Sequence, residues 1–269
     1  MVSKPEEIRN SLSKSSRIVV KIGTNSLTGE DSELDDGKID KIVSDLMDLV
    51  NLNKEVILVS SGAIGAGIGK LSLHELPEDI ESLQAASTIG QGELMRKYSE
   101  SFEQHGRHVA QLLLTSEDFT NPTRFENLKN TVKELLNWGV IPIINENDAV
   151  AVEEIRMGDN DLLSAFTAAE IGADLLIILT DVDGLYAQHP KKEKSAELIR
   201  TVEKINSEIQ ELTKETTEEE FGGIVTKVQA AKIATEEGVP VIVTNSSREK
   251  VLREIIDGKE IGTLFMPQR

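Results

Sequence analysis

The chain has 269 residues, with 29 Lys+Arg against 47 Asp+Glu for a formal net charge of −18, 39% hydrophobic residues and no cysteine. These values exclude disulfide scaffolds, thiolate metal sites and cysteine nucleophiles, fit neither a disordered nor a fibrous chain, and leave length enough for a real core. So large an acidic excess also argues against nucleic acid as a partner, since affinity for a phosphate backbone needs clustered Lys and Arg.

In chain order, residues 1–16 form a polar, Ser/Lys-rich extension without an apolar leader, and no later run approaches the roughly 18 apolar residues of a membrane span. A cytoplasmic protein with no membrane partner is expected. Apolar runs at Arg17–Ile22, Glu55–Val59, His108–Leu114, Val140–Ile144, Leu175–Leu179 and Val239–Val243 read as buried strands. Helical patterns lie between them, such as Ile39, Ile42, Val43, Leu46 and Val50 at i, i+3, i+4, i+7 and i+11. This alternation predicts an α/β protein, a three-layer α/β/α sandwich around a mainly parallel sheet with right-handed crossovers. No Pro- or Gly/Ser-rich linker divides residues 17–269, so one continuous sheet is expected. Trp138 reads as a core or interface residue ending a helix. Residues 203–220 are strongly acidic and read as a solvated helix and loop.

Ligands of open parallel sheets bind beyond the carboxyl ends of the strands, which makes the residues after each run the ones to inspect. They are polar throughout: Gly23-Thr24-Asn25, Ser60-Ser61-Gly62, Asn145-Glu146-Asn147-Asp148, Thr180-Asp181-Val182-Asp183 and Thr244-Asn245-Ser246. Each cluster alone matches an ordinary turn or helix cap; jointly they favour a site. The glycine-rich Ser61–Gly69 segment fits neither the P-loop nor the dinucleotide fingerprint, leaving anion binding at a helix start or close helix packing. Lys21 interrupts an apolar strand and must either snorkel to water or meet an anion. Lys227 follows Gly222-Gly223 at the start of a helical pattern, as a phosphate ligand or a surface lysine. In Gly158-Asp159-Asn160-Asp161, helix capping accounts for one carboxylate but does not need all three polar side chains. His74, His105, His108 and His189 show no ligand spacing and receive no role.

Taken in order, Lys21-Ile-Gly-Thr, Ser60-Ser-Gly-Ala-Ile, Pro142-Ile-Ile-Asn-Glu-Asn-Asp148, Gly158-Asp-Asn-Asp161, Leu179-Thr-Asp-Val-Asp-Gly-Leu-Tyr186 and Gly262-Thr-Leu-Phe265 resemble the motifs of the amino acid kinase family, in its glutamate 5-kinase branch. The resemblance covers residues 17–266. It implies phosphorylation of the L-glutamate side-chain carboxylate by ATP, with Mg²⁺ held mainly by the nucleotide phosphates and no protein metal site. It further implies a catalytic set of Lys21, Asp161 and Lys227, and a glutamate site of Ser61, Asp148 and Asn160. The nucleotide would meet Lys21, Thr180, Asp181, Phe221, Gly222, Gly223, Ile224, Val225, Thr226 and Lys227. Residues 17–170 would then be the amino-acid-binding lobe and 171–269 the nucleotide-binding lobe.

Feedback inhibition by proline, a homodimer or homotetramer, and functional coupling to glutamyl phosphate reductase are further implications of the resemblance. Two departures stand out. Phe221 occupies a place where the family has a small polar residue, and the C-terminal PUA domain of many members has no counterpart before Arg269. Altered nucleotide affinity is expected from the first. Competing readings are a relative with another acceptor, such as N-acetylglutamate or UMP, and a non-catalytic amino-acid-binding regulatory module.

Overall fold

The computed structural model describes residues 4–29, 33–73, 77–151, 160–188, 196–207, 209, 211 and 223–268. Within them the chain runs α1 (Pro5–Ser11), β1 (Arg17–Ile22), α2 (Asp36–Asn51), β2 (Glu55–Ser60), α3 (Ala63–Lys70), α4 (Ile80–Glu103), β3 (Val109–Leu114), α5 (Ser116–Thr120) and α6 (Pro122–Asn137). It continues with β4 (Ile141–Glu146), α7 (Asp161–Glu170), β5 (Leu175–Thr180), β6 (Thr201–Val202), α8 (Ile224–Glu236), β7 (Val241–Asn245), α9 (Val251–Ile256) and β8 (Thr263–Phe265). One eight-stranded sheet has the order β3-β4-β2-β1-β5-β7-β8-β6. The six strands expected from the apolar runs are all present and mutually parallel. The short β8 pairs antiparallel to β7 and carries β6 beside it. Two- and three-residue strands are too short for a period to show, which is why sequence patterning misses them.

Side chains alternate across each strand and sort into two cores. Ile18, Val20 and Ile22 of β1 join Leu46 of α2, Leu94, Tyr98 and Phe102 of α4, and Leu252 of α9 on one face. Val19 turns to the other, with Leu163 and Ala165 of α7 and Val228 and Ala231 of α8. This is the expected three-layer sandwich. By the same alternation Lys21 follows Val19 onto the face that α7 and α8 cover, and this decides its partner.

Helices α3 and α4 touch backbone to backbone. A Cβ on Gly67 would lie 1.9 Å from Ala86 O, and one on Gly90 1.8 Å from Ala63 O. Close helix packing is therefore the right reading of Gly67 in the glycine-rich segment. The polar segment ahead of β1 is built into the fold: Leu12 joins the core, and the buried Arg9 donates to the carbonyls of Arg200 at 2.8 Å and Ile261 at 3.0 Å. Burial pulls the Arg9 guanidinium below its usual pKa. Trp138 ends α6 as expected but is 70% exposed, so it is not a core residue. Most of the acidic stretch at residues 203–220 lies outside the described residues. No helix among those described is long and apolar enough to cross a membrane.

Candidate active site

Because β1, β2, β4, β5 and β7 are parallel, their carboxyl ends open on one rim, and β1 sits where the chain turns from β2 on one flank to β5 on the other. Such a switch point leaves a crevice. Lys21 is the penultimate residue of β1, and its side chain is 4% exposed. It does not snorkel. An ammonium removed from water needs a counter-charge, and Asp161 supplies one at 2.6 Å from its Oδ1. Asp161 opens α7 and is fully buried, at the end of the helix where the dipole is positive.

The second oxygen of Asp161 is shared. Lys227 Nζ lies 3.1 Å from Oδ2, and the Thr226 hydroxyl also stands 3.1 Å from it, with Gly223 O as the competing acceptor at 2.6 Å. Gly223 makes this possible: it enters α8 at φ +65°, a left-handed conformation cheap only for glycine. Thr226 and Lys227 then fall in the first turn, turned inward. Lys227 is buried, so the surface-lysine reading is overturned. One carboxylate thus spans two ammonium groups delivered by a strand and by a different helix.

Asn160 precedes α7 but makes no capping bond with its side chain, so capping accounts for neither Asn160 nor Asp161. Its amide instead donates towards Ser60 O at 2.8 Å, Asn145 Oδ1 at 2.6 Å and Ser61 Oγ at 3.2 Å. Ser61 and Asn160 are therefore together. Asp148, in the turn after β4, is half-buried, and burial raises its carboxyl to about 6. Among the described residues no hydrogen bond joins it to Ser61 or Asn160. On the other flank Thr180 O accepts from Ser246 N at 2.7 Å, and the Thr180 hydroxyl meets Asp181 Oδ1 at 3.1 Å. Asp181 is exposed on the rim, within 3.4 Å of Asn25 Nδ2 from the loop after β1. Ile224 is buried and Val225 half-buried in the first turn of α8. Gly158, Asp159, Phe221 and Gly222 lie outside the described residues.

Two buried residues of this region receive no role of their own from the sequence. Asn145, the penultimate residue of β4, donates to Gln91 Oε1 of α4 at 2.7 Å. Asn145 is visible in sequence only as a polar end to an apolar run. Gln91 is visible only as a polar residue in phase with Leu94, Tyr98 and Phe102.

Residues 16–245 match the amino acid kinase family. A glutamate 5-kinase of Thermoanaerobacter sp. strain X514 is 46% identical over 254 residues, 94% of this chain and 68% of that protein. A glutamate 5-kinase of Clostridium acetobutylicum is 46% identical over 258 residues, 96% of this chain and 97% of that one. Among solved structures, carbamate kinase from Giardia lamblia bound to AMP-PNP superposes with a TM-score of 0.67 at 19% identity, covering 95% of this chain and all of that one, a likeness of fold.

Proposed function

The chain belongs to the amino acid kinase family and, within it, to the glutamate 5-kinases, and from that premise we propose how its residues share the work. The reaction transfers the terminal phosphoryl group of ATP to the side-chain carboxylate of L-glutamate, giving ADP and L-glutamyl 5-phosphate, the opening step of proline biosynthesis. The acceptor carboxylate, with an ordinary pKa near 4.3, is already ionised at neutral pH, so no general base is needed. What the site must supply is alignment and positive charge, because two anions are brought together in line.

The observation that carries the assignment is Asp161 held between Lys21 and Lys227 at the carboxyl ends of the central strands. In this reading the two ammonium groups face the transferring phosphoryl from the acceptor and nucleotide sides, and Asp161 orients both without touching substrate. Backbone N–H groups at the start of α8 add donors suited to phosphate. Thr180, Asp181 and the residues 221–227 hold the nucleotide, in a lobe spanning 171–269. Ser61, Asn160 and Asp148 hold glutamate in the lobe 17–170, with Asp148 pairing to the α-ammonium. Mg²⁺ would be held mainly by the nucleotide phosphates and would offset part of their negative charge. The proposal extends to a cytoplasmic homodimer or homotetramer, inhibition by proline, and functional coupling to the reductase that consumes the acyl phosphate.

Incubating the protein with MgATP, hydroxylamine and, in turn, glutamate, N-acetylglutamate, aspartate and UMP tests the reading. Hydroxamate with glutamate alone is expected. ADP release with another acceptor only would keep the fold and overturn the substrate.

A further inference from the structure

The buried stripe of α4 contains Gln91, Leu94, Tyr98 and Phe102 at i, i+3, i+7 and i+11. Gln91 is the one carboxamide among these four. Burying a carboxamide is costly unless its atoms are bonded, yet among the described residues only half of this one is used: Oε1 accepts from Asn145 Nδ2 at 2.7 Å, whereas Nε2 is buried with no partner among them. The accepting oxygen is the functional half.

The direction of the network is fixed at its middle. A backbone N–H can only donate, and that of Glu146 meets Asn145 Oδ1 at 2.8 Å. Asn145 must then present its NH₂ to Gln91, and Gln91 must present its oxygen to Asn145. On the other side Asn160 Nδ2 faces Asn145 Oδ1 at 2.6 Å and Ser60 O at 2.8 Å, the two nearest acceptors for its two protons, with Ser61 Oγ farther off at 3.2 Å. Each amide thus fixes the orientation of the next, from Gln91 through Asn145 to Asn160. The Asn160 atom left over is Oδ1, for which no donor occurs among the described residues. The anchor is rigid because Gly90, next to Gln91, packs α4 directly on the backbone of Ala63.

We propose that Gln91 is a positioning residue for the glutamate subsite: acting through Asn145, it holds Asn160 in the orientation that binds the amino acid. The proposal rests on the reading of Asn160 as a glutamate contact. Without the Gln91 oxygen, the Asn145 NH₂ is buried with no acceptor among the described residues, and turning it away to find one breaks its bond with Asn160.

Steady-state kinetics with glutamate and ATP varied in turn provide the test. Gln91→Met is expected to raise the glutamate KM about tenfold, with kcat and the ATP KM within about threefold of the parent. Gln91→Glu restores an accepting oxygen and is expected to bring the glutamate KM back to within about threefold. Asn160→Ala raises the glutamate KM by itself, and adding Gln91→Met to it is expected to change nothing further, since Gln91 acts through Asn160. A folded Gln91→Met enzyme with an unchanged glutamate KM overturns the proposal. So does a loss that multiplies in full upon Asn160→Ala, falls equally on ATP, or persists in Gln91→Glu. Should Gln91→Met not fold, Gln91→Asn withdraws the oxygen by one methylene and carries the same expectation and refutation. If Asn160→Ala leaves the glutamate KM unchanged, the subsite reading itself falls and the proposal with it; failure confined to the Gln91 variants overturns the proposal alone.

Discussion

Replacing Lys227 by alanine removes one of the two ammonium groups on Asp161, and the size of the effect follows from the site. At an effective dielectric near 20, two unit charges about 4 Å apart interact by roughly 4 kcal/mol. Lys227 is 5% exposed, so little bulk screening applies before the change. Water entering the vacated space returns part of that energy, and losses of a single preorganised electrostatic contact usually fall between about a hundredfold and a thousandfold in turnover. We therefore expect kcat to fall at least about a hundredfold in Lys227→Ala, with the glutamate KM little changed. The fold should survive, because Asp161 keeps Lys21 at 2.6 Å and the Thr226 hydroxyl at 3.1 Å, leaving no uncompensated buried carboxylate. ADP release and hydroxamate formation at saturating substrates give kcat, and thermal denaturation monitors folding. A folded variant turning over within about tenfold of the parent would refute the assignment of Lys227 to the transferring phosphoryl.

Asp148→Asn should raise the glutamate KM and leave kcat nearly intact. In the parent, burial puts the Asp148 carboxyl at about 6, so the anion proposed to pair with the α-ammonium is present above that pH and is lost below it. The glutamate kcat/KM should accordingly fall about tenfold per pH unit below 6 in the parent and be flat through that range in Asp148→Asn; parallel profiles would sink the pairing. Gly90→Ala forces a Cβ to 1.8 Å from a backbone oxygen that cannot yield, whereas Gly92, on the same helix, has nothing within 4 Å. The first should cost about 3 kcal/mol or more, lowering Tm by about 6 °C or more, and the second should hold or gain stability. Calorimetry showing equal effects would contradict the backbone contact of α3 and α4. Lys41 bonds Asp45 Oδ2 at 2.8 Å, Arg248 O at 2.7 Å and Ser246 O, tying α2 to the turn after β7. Lys41→Met leaves Asp45 buried without its cation, held only by the Lys250 backbone N–H, at a cost of about 2–4 kcal/mol near pH 8 in urea denaturation. Burial already raises the Asp45 carboxyl and losing Lys41 raises it further, so this deficit should shrink as pH falls and the carboxyl takes up a proton. A deficit that grows on acidification would show the sign to be wrong.

How much of this was legible in the sequence depends on where each determinant is written. A parallel strand covered on both faces reads as an unbroken apolar run, so Leu175–Thr180 and its central companions stand out, the half-exposed edge strand β3 with Gln111 less so, and the polar residues that follow them mark the rim. Lys21 stands out as an anomaly in such a run, but its fate cannot be read locally. Snorkelling and burial differ only in which helices cover its face, and those helices, α7 and α8, come from distant parts of the chain. Once Val19 is placed in the core beneath them, the pairing with Asp161 follows by alternation. Lys227 needs one step more, since its burial depends on the left-handed turn at Gly223 that aims the start of α8 inward. Gln91 is the hardest to foresee. In a long helix with mixed polar residues a glutamine reads as solvent-facing until the phase set by Leu94, Tyr98 and Phe102 shows which side is buried. The same reasoning separates two kinds of buried polarity here. Lys21 and Lys227 both pair with Asp161, charge against charge, whereas the Gln91–Asn145–Asn160 amides carry no charge and fix one another's orientation. A site that must align two anions needs both, the first to offset their repulsion and the second to set the angle at which one of them arrives.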